Sequence, residues 1–277
     1  MRFGYHANAW GGVVGHPVGV TSIKDLFYLT PGDTIDTIGR VAAAGWSGIE
    51  LFDGNLAEFA DRPEELTGAL ERHGVELVGV YSGANLIFAD VLEEELWRVD
   101  RACELGRRFG ASQFVIGGGA QRTRPAADAD YEALASALDT VAGIAERHGL
   151  TPTFHPHLST IVEGPEQVDA VFSRSRIGFC PDLAHLHAGG CDVVDLVRRY
   201  ADRIPYIHFK DVDAAGGFVP LGRGVIDLAG VAQALRDAGY HGWVLVELDG
   251  YDGDPDAAAR DNLSVLRELL GEPASTT

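Results

Sequence analysis

"IGFCPDLAHLHAGGCDVVDLVRRYADRIPYIHFKDV", residues 177–212, reads as one complete strand–helix–strand repeat. IGFCPDL (177–183) and PYIHFKDV (205–212) are short apolar runs of the length expected for buried strands of a parallel sheet. Between them, DVVDLVRRYADR spaces its apolar residues at helical intervals. Each strand ends in polar chemistry, Asp182 and His185 after the first and His208, Lys210 and Asp211 in the second. Strand ends of this kind share one side of a parallel sheet, where α/β folds gather their sites.

The same rhythm runs outward in both directions. Upstream, RFGYHANAW (2–10), GIELF (48–52), ELVGVYS (76–82), QFVIGGG (113–119) and TPTFHPH (151–157) are each followed by a helical stretch; downstream, WVLVELD (243–249) is too. Gly stands just past the periodic residues in AAAGW, RHGV, RFGA, RHGL and DAGY, the expected helix stop. Eight strand–helix units without a linker predict an α/β fold, a (β/α)8 TIM barrel forming one domain over 1–277. An open doubly wound sheet is the competing arrangement. The segment 11–33 is too long for a simple connection and is expected to act as a lid over the barrel mouth or as a subunit contact.

The chain has 277 residues, enough for one large core, and its 46% hydrophobic and 23% charged content is that of a soluble globular protein. A formal charge of −19 argues against nucleic acid and against an anionic membrane surface as partners. Three cysteines in irregular surroundings form no disulfide framework and leave at least one thiol free, which favours a reducing compartment. The start MRFGYHANAW lacks a basic then apolar leader, and no apolar run reaches the ~20 residues that span a bilayer. A cytoplasmic protein is expected.

A barrel brings distant strand ends to one mouth. Those ends hold Glu50, His155, His157, Asp182, His185, His208, Lys210, Asp211 and Glu247. From His155 to Asp182 is 27 residues and from Asp182 to His208 is 26, one repeat each; Glu247 follows on the last strand. Carboxylate and imidazole donors together suit Mn²⁺, Zn²⁺, Co²⁺ or Fe²⁺. Each also has a structural explanation: Asp182 as a helix cap, Glu247 as an ion-pair partner of Lys210. Asn8, Trp10 and Tyr81 lie at early strand ends and are candidates to line a ligand pocket. GGGAQR (117–122) lacks a dinucleotide or P-loop signature, though Arg122 and Arg124 beside it offer a phosphate subsite.

The motifs D-x-x-H (182–185), I-H-x-K-D (207–211), P-L-G-x-G (220–224) and V-E (246–247), with GWSGIELF and FHPHLSTIVE, resemble the xylose isomerase-like barrels of the sugar isomerase/epimerase superfamily. The likeness covers nearly the whole chain and is nearest the inosose dehydratase and C-glycoside-cleaving branches. It implies a divalent metal, foremost Mn²⁺ with Mg²⁺ also admissible, and a ketosugar, inosose or 3-keto-glycoside substrate. An assembly of several copies of the chain is expected, to which the C-glycoside-cleaving likeness adds a small partner subunit.

Relatives hold the metal with a Glu, an Asp, a His and a Glu from strands five to eight. Asp182, His208 and Glu247 match the last three, whereas His155 stands where the first Glu is usual. Either His155 is itself a ligand, or Glu163 reaches back from the next loop and frees His155 as a base; the second is expected. His157 and Lys210 are expected as acid and oxyanion stabiliser, with a structural ion pair to Asp211 or Glu50 the equal alternative for Lys210. Glu50, Tyr81, His185, Asn8 and Trp10 are expected near substrate. A lyase reaction is favoured, because a His near the metal titrates where proton transfer at neutral pH needs it. An isomerase or epimerase, or a non-catalytic sugar-binding barrel, is the alternative.

Overall fold

A computed structural model describes residues 1–11 and 28–271, so the expectation of a lid or subunit contact in 11–33 falls largely outside the described residues. Eight parallel strands form the barrel: β1 (Arg2–His6), β2 (Gly48–Phe52), β3 (Glu76–Ala84), β4 (Gln113–Gly118), β5 (Thr151–His155), β6 (Gly178–Phe179), β7 (Tyr206–Phe209) and, last in the chain, β10 (Trp243–Val246). Their lateral order is β6-β5-β4-β3-β2-β1-β10-β7, with helices on the outside. A parallel bridge between Asp182 and His208 and the His208 N–H bond to the Pro181 carbonyl, 3.0 Å, close the seam between β6 and β7. The sequence read β6 as seven residues, yet only two pair as strand. Pro181 has no N–H to give a ladder, and Asp182 already caps the helix Leu183–Ala188 by accepting the His185 N–H.

All five glycine stops sit at positive φ, from 64° at Gly74 to 94° at Gly110, where a side chain would be strained. The helix Thr34–Ala43 opens at Asp33, whose carboxylate accepts the Ile35 and Asp36 N–H groups. Period-two alternation then sorts each strand. Ile49, Leu51, Ile207, Phe209, Val244 and Val246 face the helix layer, whereas Val78, Val115, Tyr206, Trp243 and Leu245 fill the barrel interior. The inner face at the carboxyl ends of the strands is left to Glu50, His155, His208, Lys210 and Glu247. Among the described residues no helix is long and apolar enough to cross a membrane, and all three cysteines are buried and free.

One element escaped the repeat count. β8 (Asp211–Val212) and β9 (Phe218–Val219) pair antiparallel as a small hairpin after β7. The Asp211 carboxylate clamps this hairpin and the loop beyond it, accepting N–H groups from Val212 (2.9 Å), Gly222 (2.9 Å), Gly224 (3.0 Å) and Ile226 (3.3 Å). A Cβ on Gly224 would lie 2.1 Å from Asp211 Oδ1, so the second glycine of P-L-G-x-G is where loop backbone meets this carboxylate. Asp211→Ala strands these donors and is expected to cost about 3 kcal/mol, with Asp211→Asn losing less. Urea unfolding of the three proteins measures it; an unchanged midpoint for Asp211→Ala would deny the clamp.

Candidate metal centre

Four side chains from four barrel strands or strand ends converge. One ligand atom from each of His155, Asp182, His208 and Glu247 lies within 4.8 Å of the others, and all four residues are buried. His155 Nε2 is 3.6 Å from Asp182 Oδ2 and 4.0 Å from Glu247 Oε2, too long for hydrogen bonds. His208 Nδ1 is 2.8 Å from Glu247 Oε2. Asp182 Oδ2 and both ring nitrogens of His155 are buried without a hydrogen-bond partner. A buried carboxylate oxygen and a buried imidazole nitrogen that face each other unbonded cost free energy unless something lies between them. A divalent cation fits that requirement, and two imidazoles with two carboxylates are a donor set for one.

The surroundings brace this group. Lys210 is fully buried and donates to Asp249 Oδ2 at 2.5 Å, while its ammonium stands 3.6 Å from Asp182 Oδ2 and 3.5 Å from Glu247 Oε1. Burial alone would push that ammonium's pKa down, but the Asp182, Asp249 and Glu247 carboxylates outweigh it and keep Lys210 charged. Burial likewise opposes the ionised forms of Asp182 and Glu247, yet Lys210 leads the charges that hold both well below the usual carboxylate range. Asn8 donates through Nδ2 to Glu247 Oε1 at 3.0 Å and to Asp249. Lys210 does not pair with Asp211 or Glu50 as expected, because Asp211 is spent on its backbone clamp and Glu50 sits between His6 and His208.

Two further imidazoles, His157 and His185, meet beside the group with ring centroids 3.7 Å apart and planes tilted by 40°. Lys210 Nζ lies 2.9 Å from His185 Nε2 and donates to it, which leaves the His185 proton on a partnerless, buried Nδ1. His157 Nδ1 lies 2.7 Å from the Leu158 carbonyl, to which it donates, so its Nε2 carries the lone pair. Burial, then the neighbouring His155 and Lys210, brings the His157 pKa down to about 4, leaving the ring neutral at neutral pH. Phe218, from the unforeseen hairpin, covers Lys210 at 4.5 Å and meets the His185 ring edge-on at 5.3 Å. Tyr81 meets His155 in the same way at 5.3 Å and belongs to an aromatic wall with Phe52 and Tyr28.

Four expected residues make contacts other than those anticipated. Glu163 is outside the group of four: its carboxylate takes the Ser159 N–H, and it lines a separate cleft with Gln121, Thr160 and Gly189. The loop after β5 folds back on itself, with Ser159 at a φ of 66°, so Glu163 is used inside its own loop and His155 holds the place near the metal group. Trp10 turns outward, its indole donating to Asp256 at 2.7 Å, and packs on Tyr5 instead of lining the mouth. Arg122 and Arg124 both pair with Asp130 and line the same cleft as Glu163, away from the group of four. Asp249 and His6 went unassigned in the sequence, although Asp249 follows Glu247 by two and so shares its face.

The family described as xylose isomerase-like TIM barrel matches residues 38–269. An inosose dehydratase of Geobacillus kaustophilus is 28% identical over 250 residues, covering 76% of this chain and 79% of the relative. The 3-keto-D-glucoside 4-epimerase YcjR of E. coli superposes with a TM-score of 0.74 at 18% identity, over 97% of this chain and 99% of its own. D-psicose 3-epimerase of Clostridium cellulolyticum H10 superposes at 0.78 with 18% identity, over 98% and 99%. At such identities the two structures share the fold.

Metal content separates the two readings of the fifth strand. His155→Ala and Asp182→Ala are each expected to weaken Mn²⁺ or Co²⁺ binding by at least about tenfold, while Glu163→Ala binds like the parent. Equilibrium dialysis with elemental analysis reads this directly. Full metal in His155→Ala and loss in Glu163→Ala would restore Glu163 as the ligand.

Proposed function

The chain belongs to the xylose isomerase-like TIM barrel family, and from that membership and the geometry of the barrel mouth we propose a divalent-metal-dependent sugar lyase. It removes a proton next to the carbonyl of a ketosugar, inosose or 3-keto-glycoside and then expels the β-substituent. The observation that carries this reading is the placement of an unprotonated His157 nitrogen and a His185 N–H side by side, next to the four-residue metal group. The relative described as an inosose dehydratase supports the dehydrating form of the reaction.

When bound, the cation polarises the substrate carbonyl and favours the charge that forms there. His155, Asp182, His208 and Glu247 are the residues that hold it. His157 Nε2 takes the α-proton; the electron pair of that C–H bond enters a new C=C bond, and the carbonyl oxygen takes the negative charge. As the charge returns, the bond to the β-substituent breaks, and the departing group takes the His185 Nδ1 proton while Lys210 supplies one to Nε2. Lys210 thus acts through His185, and before that transfer its positive charge keeps Asp182 and Glu247 ionised. Tyr81 and Phe52 offer apolar faces to a sugar ring, and Phe218 with its neighbours keeps water from the ammonium. An epimerase on the same site would return the proton to the same carbon from the opposite face.

Proton NMR in D₂O with the Zn²⁺- or Mg²⁺-loaded protein tests the proposal on 2-keto-myo-inositol, ketohexoses and a 3-keto-glycoside. Deuterium entry with loss of the β-group is expected; entry with the group retained would make the chain an isomerase or epimerase. His157→Gln is expected to slow exchange about 100-fold or more with metal content unchanged. Exchange that starts only after a small partner subunit is added would identify a two-component enzyme. No exchange with any substrate by the metal-loaded protein, alone or with a partner, would favour the non-catalytic barrel.

A further inference from the structure

β1 and β2 contribute none of the four metal-group residues, yet they carry a buried polar string that ends on one of them. Glu50 is fully buried and in the middle of it: Oε1 lies 3.2 Å from His208 Nε2 and 3.5 Å from His6 Nε2. The far side of each imidazole is already assigned. His6 Nδ1 accepts the Asn8 backbone N–H at 3.0 Å, so His6 carries its proton on Nε2, toward Glu50. His208 Nδ1 faces Glu247 Oε2 at 2.8 Å and the metal group, so its Nε2 faces away, toward Glu50. Room for the carboxylate is made by Gly79, where a Cβ would lie 2.8 Å from Glu50 Oε2. Glu50 Oε1 and Oε2, His6 Nε2 and His208 Nε2 are all buried without a formed hydrogen bond, so these approaches are ion-pair contacts, and the carboxylate is the acceptor that stands next to both ring nitrogens.

We infer that Glu50 is a positioning residue for the metal centre. It holds the His208 proton on Nε2 and so presents the Nδ1 lone pair to the cation, with His6 holding Glu50 in turn. The inference rests on the proposed metal centre and deepens it. A carboxylate behind a metal-bound imidazole fixes the ring's tautomer and orientation and raises its basicity. The sequence expectation of Glu50 near substrate is replaced by this role: its carboxylate is beneath the ligand group, with zero exposure.

The test uses the full chain loaded with Zn²⁺, which is diamagnetic. Nitrogen-15 NMR of the histidines is expected to show His208 bound through Nδ1 with a proton on Nε2. In parallel, Glu50→Gln is expected to raise the Zn²⁺ dissociation constant by about 10–100-fold at an unchanged unfolding midpoint. His208 bound through Nε2, or a Glu50→Gln protein that binds Zn²⁺ like the parent, would overturn the inference while leaving the metal centre intact. A parent protein that takes up no Zn²⁺, Mn²⁺ or Co²⁺ shows no metal-shifted histidine at all, and removes both. The NMR arm needs no substitution, so a Glu50→Gln protein that fails to fold still leaves the inference open to refutation.

Discussion

Uncompensated negative charge at the barrel mouth is the constraint on which this structure turns. Glu50, Asp182, Glu247 and Asp249 are all buried there, and among the described residues Lys210 is the lysine or arginine set among them. Burial pushes the Asp249 carboxyl up to about 7, which eases part of the imbalance, but one such cation still faces a cluster of buried carboxylates, and burying unpaired charge is costly. The neighbouring imidazoles take up part of the imbalance through His208, and a divalent cation at the group of four would take up more. This explains why Asn8, Lys210 and Glu50, none of them in that group, are nonetheless pinned to its members.

The same constraint shapes the barrel seam. β6 is the shortest barrel strand because its last residues leave the ladder for other work. Pro181 accepts the His208 N–H but has no N–H of its own to give, and Asp182 turns one oxygen to the helix after it and the other toward His155. The barrel closes there through the Asp182–His208 bridge, so sheet closure and site assembly are one event. Asp211 plays the supporting part, tying the loop over the mouth with a carboxylate that receives four N–H groups and spares none for catalysis.

The functional reading depends on unlike neighbours. His157 and His185 lie against each other with their rings tilted by 40°, yet the Leu158 carbonyl and the Lys210 ammonium assign their protons oppositely. One imidazole is left as an acceptor and the other as a donor within a few ångströms. That pairing suits a reaction that takes a proton from one atom and gives one to another, which is why elimination is preferred over a reaction run by two like carboxylates.

The sequence by itself determined the eight repeats, the glycine stops and the identity of most residues at the mouth. Periodicity and strand-end position are local properties, readable from spacing alone. His208, Lys210 and Glu247 were legible for that reason, and Asp249 was equally legible from its spacing to Glu247. The choice between His155 and Glu163 was not, because it depends on how the loop after β5 folds and whether Ser159 consumes the Glu163 carboxylate. The outward turn of Trp10, the covering Phe218 and the His6–Glu50–His208 string were equally hidden. Each joins residues far apart in sequence, and only closing the barrel decides which carboxylate a given imidazole meets.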